Sequence, residues 1–355
     1  MTTDDGKAGE ATGAVADAGR AATVAEALRA ATATIAAAHS QSPRLDAELL
    51  LAEALGARRE DLFAAPERVL DRDEAARFEG FVRRRQKQEP VAYIVGRRAF
   101  RTIELHVTDN VLIPRPETET LVEVCLEKLA AMDVPEPYVL DIGTGSGAIA
   151  LALAAEHPGV RVVTTDVHPA PLDVARRNAR DLGFADRVTL LVSDVFDDLP
   201  PGLRFDLIVS NPPYVTPESL RRLRVEVRGF EPHVALRADE GGMEFYRRIV
   251  PQAPGWLVPG GVLAVEIAEH KAVDVITEFA AAGRYEQIDV RDDLGGLPRV
   301  VVAHERAEGA APSAPADIAA LEAALEALGD EIAEPDAGPD AGPDAGPDAE
   351  PSPGG

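Results

Sequence analysis

Cysteine is nearly missing from this chain: Cys125 stands alone among 355 residues. That excludes an internal disulfide framework and any cluster of thiolate ligands. Its setting, TLVEVCLEKL, has helical spacing, so it reads as a small core residue and not as a nucleophile. The seven histidines are scattered without a pair at ligand spacing, and no metal is expected. No run approaches the ~18 apolar residues of a membrane span. The opening MTTDDGKAGEATG lacks the apolar stretch of a secretory leader, and Asp4, Asp5 and Glu10 argue against a transit peptide. A cytoplasmic protein with no membrane contact is the expectation.

Positive charge is also scarce. The 36 Lys and Arg face 61 Asp and Glu, for a net charge of −25. Beyond Ala307 there are 12 acids and no base, so setting that −12 aside leaves −13 on the rest. An acidic body works against tight, sequence-tolerant binding to a phosphate backbone. No stable nucleic-acid partner is expected, although FVRRRQK and LRRLRVEVR are locally basic.

What is present falls into five stretches. Residues 1–20 are small and polar and read as disordered. Residues 21–88 keep a helical period throughout, which predicts a small domain of four or five helices. Leu45, Leu49, Leu50 and Leu55 are expected on one face, and RDEAARFEGFVRRRQ places acids early and bases late, as a helix dipole favours. Residues 89–112 break that rhythm. Thr102, Glu104 and His106 alternate with Ile103, Leu105 and Val107, which predicts one strand of a linking β-hairpin.

Residues 113–305 alternate strand and helix. YVLDI, VRVVTTD, RVTLLVSD, FDLIVSN, GVLAVEI, YEQIDVR and RVVVAH predict seven strands. The fold class is therefore α/β, a doubly wound Rossmann-like sheet with an antiparallel edge hairpin and ligands at the strands' carboxyl ends. Residues 306–355, with their PDAG repeats, read as an acidic disordered tail of Pro, Ala and Gly.

Two motifs carry chemistry. LDIGTGSGAIALALA runs from strand through a glycine loop into a helix, so Gly143, Gly145 and Gly147 let backbone N–H groups approach a ligand. Thr144 and Ser146 lie between them. Alone this is ambiguous, because Gly143, Gly145 and Ala148 also fit the dinucleotide pattern G-x-G-x-x-A, and Asp166 could hold ribose hydroxyls in either case. Asp141 separates the two. A carboxylate just before the glycines would repel a pyrophosphate but suits a cationic amino acid or sulfonium group. Asp194 ends the third strand and suits an adenine amine. Any one of these aspartates could be an N-cap or turn former. Three at successive strand ends point to a positively charged adenosyl ligand, S-adenosylmethionine.

The second motif is SNPPYV. Two prolines cannot continue a helix or a central ladder, so they fix groups for use outside the sheet. An amide nitrogen is a poor nucleophile because its lone pair is delocalised. Asn211 can accept from it with its side-chain carbonyl and Pro212 with its backbone carbonyl, aiming the lone pair at a methyl group, while Tyr214 packs a planar acceptor. In LIPRPETE, Pro114 and Pro116 stiffen the approach to a helix begun by Glu117 or Thr118. Arg115 is read as pairing with an acid such as Glu117, with substrate contact the alternative. GFEPHVAL reads either as a loop closing over the acceptor or as a surface crossover.

On EPVAYIVG, LIPRPETE, DIGTGSGAIALALA, VSNPPYV and FEPHVALRADEGGMEFYRRI, residues 25–304 resemble the protein-(glutamine-N5) methyltransferases of peptide-chain release factors. These belong to the class I S-adenosylmethionine-dependent methyltransferases. The resemblance implies methylation of the glutamine of a Gly-Gly-Gln segment in class 1 release factors, supporting translation termination. A tripeptide site alone cannot tell this glutamine from others, so the helical domain is expected to dock the release factor, and a monomer is expected. It implies cofactor contacts from the 143–147 loop, Asp166, Asp194, Val195 and Asn211, and acceptor contacts from Asn211, Pro212, Pro213, Tyr214 and Arg115. Val195 and Ala268 depart from the larger residue and the glycine usual in the family, with Phe196 the expected substitute against adenine. NPPY is shared with enzymes that methylate adenine N6 or cytosine N4 in nucleic acid, which is the alternative activity.

Overall fold

The computed structural model describes residues 21–306. The expectations for residues 1–20 and for the tail from 307 lie outside them.

Five helices open the chain: α1 (Val24–Ala37), α2 (Pro43–Leu55), α3 (Arg59–Ala64), α4 (Arg72–Gln86) and α5 (Val91–Val95). Their ends follow from local chemistry. Thr23 and Glu26 form a reciprocal cap on α1, as Asp71 and Glu74 do on α4. Pro43 starts α2, and Gly56, at φ +59°, ends it. The buried face of α2 is Ala47, Leu50, Leu51 and Ala54 at helical spacing, packed with Ile35, Leu62, Phe78 and Ile94. The expected leucine face is thus rotated. Leu50 is buried, whereas Leu45 and Leu49 stand 40% and 38% exposed on the flank. Because Ile94 joins this core, the helical unit runs through α5, past the expected boundary at 88. The hairpin β1 (Arg97–Phe100) and β2 (Ile103–His106) then pairs antiparallel, as the alternation predicts.

After α6 (Pro116–Ala131) comes the main sheet: β3 (Tyr138–Ile142), β4 (Arg161–Asp166), β5 (Val188–Val192), β6 (Phe205–Ser210), β7 (Leu257–Glu266), β8 (Tyr285–Asp292) and β9 (Pro298–Glu305). Helices α7 (Ala148–Glu156) and α8 (Pro169–Asp181) connect the first strands. The short α9 (Pro217–Leu220) and α10 (Val225–Phe230), then α11 (Glu244–Gln252) and α12 (Ala272–Ala282), complete the order. Strand order is β5-β4-β3-β6-β7-β9-β8, with β9 antiparallel to both neighbours. This is the seven-stranded, doubly wound sheet with an edge hairpin that the sequence predicts.

Alternate strand residues feed two apolar layers. Val139, Val162, Leu207 and Val262 pack under α6 and α7, where Cys125 is fully buried. Burial pushes its thiol pKa up, away from reactivity. Leu140, Val163, Ile208 and Leu263 face α11 and α12. Burying side chains such as Phe205 and Phe279 contributes about 1.5–3 kcal/mol each. The chain leaves β3 toward β4 on one side and returns to β6 on the other, so a crevice opens between their carboxyl ends.

The helical unit is tied to this crevice. Arg85 of α4, nearly fully buried, donates from Nε to Asp46 at 2.7 Å and from Nη2 to Glu226 of α10. Arg224 reaches Gln41 at 2.8 Å.

Candidate active site

The glycine loop leaves β3 at the crevice. Gly143, Gly145 and Gly147 have φ of +90°, +52° and +82°, a region closed to most side chains. The N–H groups of Gly143 and Thr144 both donate to the Thr165 carbonyl, at 2.8 and 2.9 Å. Asp166, at the end of β4, accepts from Gly145 N–H at 3.2 Å and from His168 N–H at 3.0 Å. Burial raises its pKa. Gly143, Thr144, Gly145 and Asp166, with Ser146, Asp194, Val195 and Asn211, line a cleft of about 160 Å³ at the start of α7, whereas Gly147 turns toward Leu151 and Ala175.

Asp141 does not line it. The side chain is 1% exposed and turned into the sheet, where Oδ2 accepts from Thr164 Oγ1 at 3.0 Å and the carboxyl faces the Ala150 N–H at the start of α7. Thr164 Oγ1 also lies 2.7 Å from the Thr144 hydroxyl, so Asp141, Thr164 and Thr144 form one hydrogen-bonded chain that reaches the glycine loop. The expected contact with a cationic ligand is therefore corrected: Asp141 braces the glycine loop from behind. Asp194 is half exposed and pairs with Arg248 at 2.8 Å. Val195 sits at φ +58°, a costly conformation for a β-branched residue, with its carbonyl held by Ser193 Oγ. Phe196 turns into the core and stacks on Trp256, so it offers no adenine contact. Ala268 has φ −72° and ψ 141°, a conformation that needs no glycine.

NPPY leaves β6 beside the loop, and Ser210 Oγ donates to the Ile142 carbonyl at 2.8 Å, joining the two strand ends. Asn211 donates from Nδ2 to Thr118 Oγ1 at 3.1 Å. A second cavity, of about 650 Å³, begins here, lined by Tyr214, Glu266 and Arg299 and by Ser40, Ser42 and Arg85 of the helical unit. The two spaces share Leu112, Arg115, Asn211, Pro212, Pro213 and Ala235. Burial pushes the Tyr214 phenol up to about 12, so it is neutral.

The segment after α10 covers this junction. Val215 N–H donates to the Leu236 carbonyl at 2.9 Å, and the Val215 carbonyl accepts from Ala238 N–H at 3.0 Å, which makes GFEPHVAL a wall of the site. Arg115 does not pair with Glu117. Its partner is buried Glu231 of that wall, at 2.6 Å, whose other oxygen accepts from Ile113 N–H.

A family model described as the PrmC N-terminal domain matches residues 26–96, and one described as the methyltransferase small domain matches residues 118–226. The release factor glutamine methyltransferase of Rhodopirellula baltica is 42% identical over 264 residues, which is 74% of this chain and 89% of that protein. The protein of the same name from Moorella thermoacetica is 42% identical over 287 residues, covering 81% and 100%. The chain belongs to the release factor glutamine methyltransferase family.

The enzyme is thus a methyltransferase, and S-adenosylmethionine is its methyl donor. Its cleft fits that cofactor. Gly145 leaves open space where a side chain would stand, and a Cβ on Gly143 would come 3.9 Å from the Asn211 carbonyl oxygen. Carboxylates at Asp166 and Asp194 can take hydroxyl and amine donors. Among the described residues no group of His, Cys, Asp and Glu could hold a metal ion, and no helix is long and apolar enough to cross a membrane.

Four residues of the methyltransferase site were given no site role, or a different one, by the sequence: Glu231, Gly242, Glu266 and Thr118, the last read only as a helix start. Glu266 leaves the plainest trace, a charge inside the apolar run GVLAVEI.

Asp141 and Glu266 are each pushed up to about 7 by burial. A carboxyl with a higher pKa in the fold than in the unfolded chain takes up a proton on folding between those two values, so stability falls as pH rises through that window. The arginine-paired Glu48, Glu74 and Asp293 are shifted down, and their contribution is lost only in stronger acid. The urea midpoint is expected to drop from pH 5 to pH 8, and Asp141→Asn to flatten the drop. A midpoint that rises over that interval in the parent protein contradicts this.

Proposed function

We propose that this enzyme methylates the side-chain amide nitrogen, N5, of the glutamine in the Gly-Gly-Gln segment of class 1 peptide-chain release factors, and so supports translation termination. One observation carries the reading: Thr118 holds the Asn211 NH₂, and Asn211 Oδ1 takes no hydrogen bond among the described residues where the two cavities meet. When bound, S-adenosylmethionine supplies an electron-poor methyl carbon. Asn211 Oδ1 and the Pro212 carbonyl accept the two N–H groups of the glutamine amide and aim its nitrogen along the displacement line. The prolines hold these acceptors in place before substrate arrives, which lowers the ordering cost. Tyr214 packs against the planar amide. As the nitrogen takes the methyl group it would become cationic, the methyl–sulfur bond breaking with its electron pair left on the thioether of S-adenosylhomocysteine, and one nitrogen proton would leave to water.

On the cofactor side, Gly143, Thr144, Gly145, Ser146 and Gly147 cradle the amino acid portion, Asp166 accepts from the ribose hydroxyls, and Asp194 and Val195 flank adenine. Asp166→Ala is expected to weaken cofactor binding by roughly ten- to a hundredfold, the scale of losing one or two charge-assisted hydrogen bonds. Titration calorimetry checks it, and unchanged affinity would remove Asp166 from the site. Arg115, held by Glu231, borders the substrate backbone. The helical unit docks the release factor, since it walls the second cavity and a tripeptide alone cannot distinguish one protein from another. The enzyme acts as a cytoplasmic monomer without a stable nucleic-acid partner.

Relatives matched over nearly their whole length favour this reading over adenine or cytosine methylation. Labelled S-adenosylmethionine is given with a release factor, intact or with its Gly-Gly-Gln glutamine changed to alanine. Label in the intact protein alone is the expected result; equal label in both overturns the target.

A further inference from the structure

Five arginines line the larger cavity, of about 650 Å³, and four of them are engaged within the protein. Arg85 meets Asp46 and Glu226, and Arg115 meets Glu231. Arg224 reaches Gln41 at 2.8 Å, and Arg299 reaches Asp293 at 3.0 Å. Arg98 is the exception. No hydrogen bond or ion pair engages its guanidinium among the described residues, and its Nε is buried without a partner there.

The position of Arg98 is set by the hairpin. It stands in β1 opposite Leu105 of β2, half-buried. Successive strand residues point to opposite faces. Arg97 takes the outer face, where it pairs with Glu53 at 2.7 Å, and Arg98 lines the cavity beside Val91, Ala92 and Leu112. The hairpin is in turn pinned to the catalytic half. Asn178 of α8, 2% exposed, accepts from His106 N–H at 2.8 Å and donates to the His106 carbonyl at 3.0 Å. The same Nδ2 donates to the Ser146 carbonyl of the glycine loop at 2.9 Å. Arg98 is thus placed against the cofactor cleft before any substrate arrives.

A buried donor without a partner costs stability, and native folds leave few of them. An arginine holds five N–H donors in a rigid fork and keeps its charge. What enters this part of the cavity should therefore bring oxygen acceptors. The rest of the lining says which kind. Asp46, Glu117, Glu226 and Glu266 border the same space, so an entering carboxylate is opposed by charge, whereas a neutral main-chain carbonyl is not. Leu112, Arg115, Asn211 and Pro212 border both spaces. A glutamine whose amide lies at Asn211 then leaves its main chain in the larger cavity, and two glycines before it present their carbonyls with no side chain in the way.

We propose that Arg98 is a substrate-binding residue whose guanidinium takes main-chain carbonyl oxygens of the Gly-Gly pair preceding the acceptor glutamine. This deepens the function proposed above and rests on it. The apolar neighbours Val91, Ala92 and Leu112 lower the local dielectric and strengthen such bonds. Main chain away from the reacting nitrogen is held alike in ground and transition states, so loss of Arg98 falls on KM and not on kcat.

Arg98→Met keeps the apolar stem and removes the donors. It is expected to raise KM for whole release factor about tenfold, the scale of one or two hydrogen bonds, with kcat and cofactor affinity within twofold. Thermal denaturation supplies the readout that a structural role would move the other way. A donor with no partner in the free enzyme holds nothing together, so Arg98→Met should melt at or above the parental temperature. Arg97→Met, the neighbouring control, loses its ion pair with Glu53 and should leave KM unchanged. An unchanged KM in Arg98→Met overturns the subsite, and so does a KM that rises only together with a lowered melting temperature.

Arg98→Lys keeps the charge without the fork and tests the kind of oxygen. Against neutral carbonyls it should recover little, and the ratio of KM between Arg98→Met and parent should be the same at low and high salt. Rescue by lysine, with a ratio that shrinks in salt, would make the partner a carboxylate and overturn the assignment to main chain. Release factor that the parent leaves unlabelled would defeat the proposed function and the occupant named for Arg98 with it. Labelled release factor beside an unchanged KM in Arg98→Met defeats the subsite alone.

Discussion

Asn211→Ala is expected to lower kcat for methyl transfer by about 10²–10³-fold, the range for deleting one pre-set hydrogen-bonding group from a reacting centre. In the proposed site the substitution removes the oxygen that would take one glutamine N–H and leaves that group facing a void. It leaves the Pro212 carbonyl, so the acceptor can still enter but is free to rotate, and the loss falls on kcat more than on KM. The glycine loop is pinned by Thr165 and Asp166, with Thr144 braced by Thr164, and owes nothing to the Asn211 side chain. Cofactor affinity should therefore stay within a few-fold. Single-turnover transfer from labelled cofactor gives the first quantity and equilibrium dialysis the second. Asn211→Asp offers an internal comparison: it keeps an acceptor oxygen but loses the N–H held by Thr118, and should fall between alanine and the parent. A variant that transfers methyl groups at the parental rate would mean that the acceptor is held elsewhere.

Gly242→Ala should cost kcat/KM about 10²-fold, from a position outside every expected motif role. Gly242 has φ +89°, and a Cβ there would lie 2.6 Å from the Tyr214 carbonyl oxygen. That atom is backbone, so the clash cannot be relieved by turning a side chain. Either the segment before α11 or the NPPY turn must move. A displacement approaching 1 Å in groups that orient a reactant is enough for a loss of that size, and positive φ adds about 1–3 kcal/mol of strain. Gly241→Ala is the matched control. Gly241 also has positive φ, +68°, but nothing lies within 4 Å of its Cβ, so it should lower stability without a comparable loss of rate. Equal kinetic effects from the two variants would show that strain alone, and not the contact with Tyr214, governs activity. Thermal denaturation and kcat/KM on whole release factor, measured side by side, decide it.

What could be read from the chain was what its local chemistry encodes. The strand and helix alternation, the glycine loop after β3 and the prolines after β6 each declare themselves within about ten residues, and the doubly wound order brings the last two together at one crevice. What could not be read was set by pairings across the fold. Sequence proximity offers Arg115 only Glu117, whereas its partner Glu231 lies 116 positions away. Asp141 looked outward because loops after strands usually do, yet the pleat turns it toward Thr164 of the next strand. The flank of α2 misled because Leu45 and Leu49 share the helical period without sharing its buried face. Five residues between a proline and a glycine carry too little periodicity to set α5 apart from the hairpin linker.

The buried guanidinium of Arg85 has one further consequence. It is held by Asp46 on one side and by Glu226 on the other, and Glu226 belongs to the catalytic half of the chain. A chimaera that swapped in a relative's helical half without an equivalent cation would leave Glu226 only the more exposed Arg224, at 3.6 Å, and would loosen the wall of the larger cavity. Swaps across this boundary should therefore succeed only when Asp46, Arg85 and Glu226 travel together.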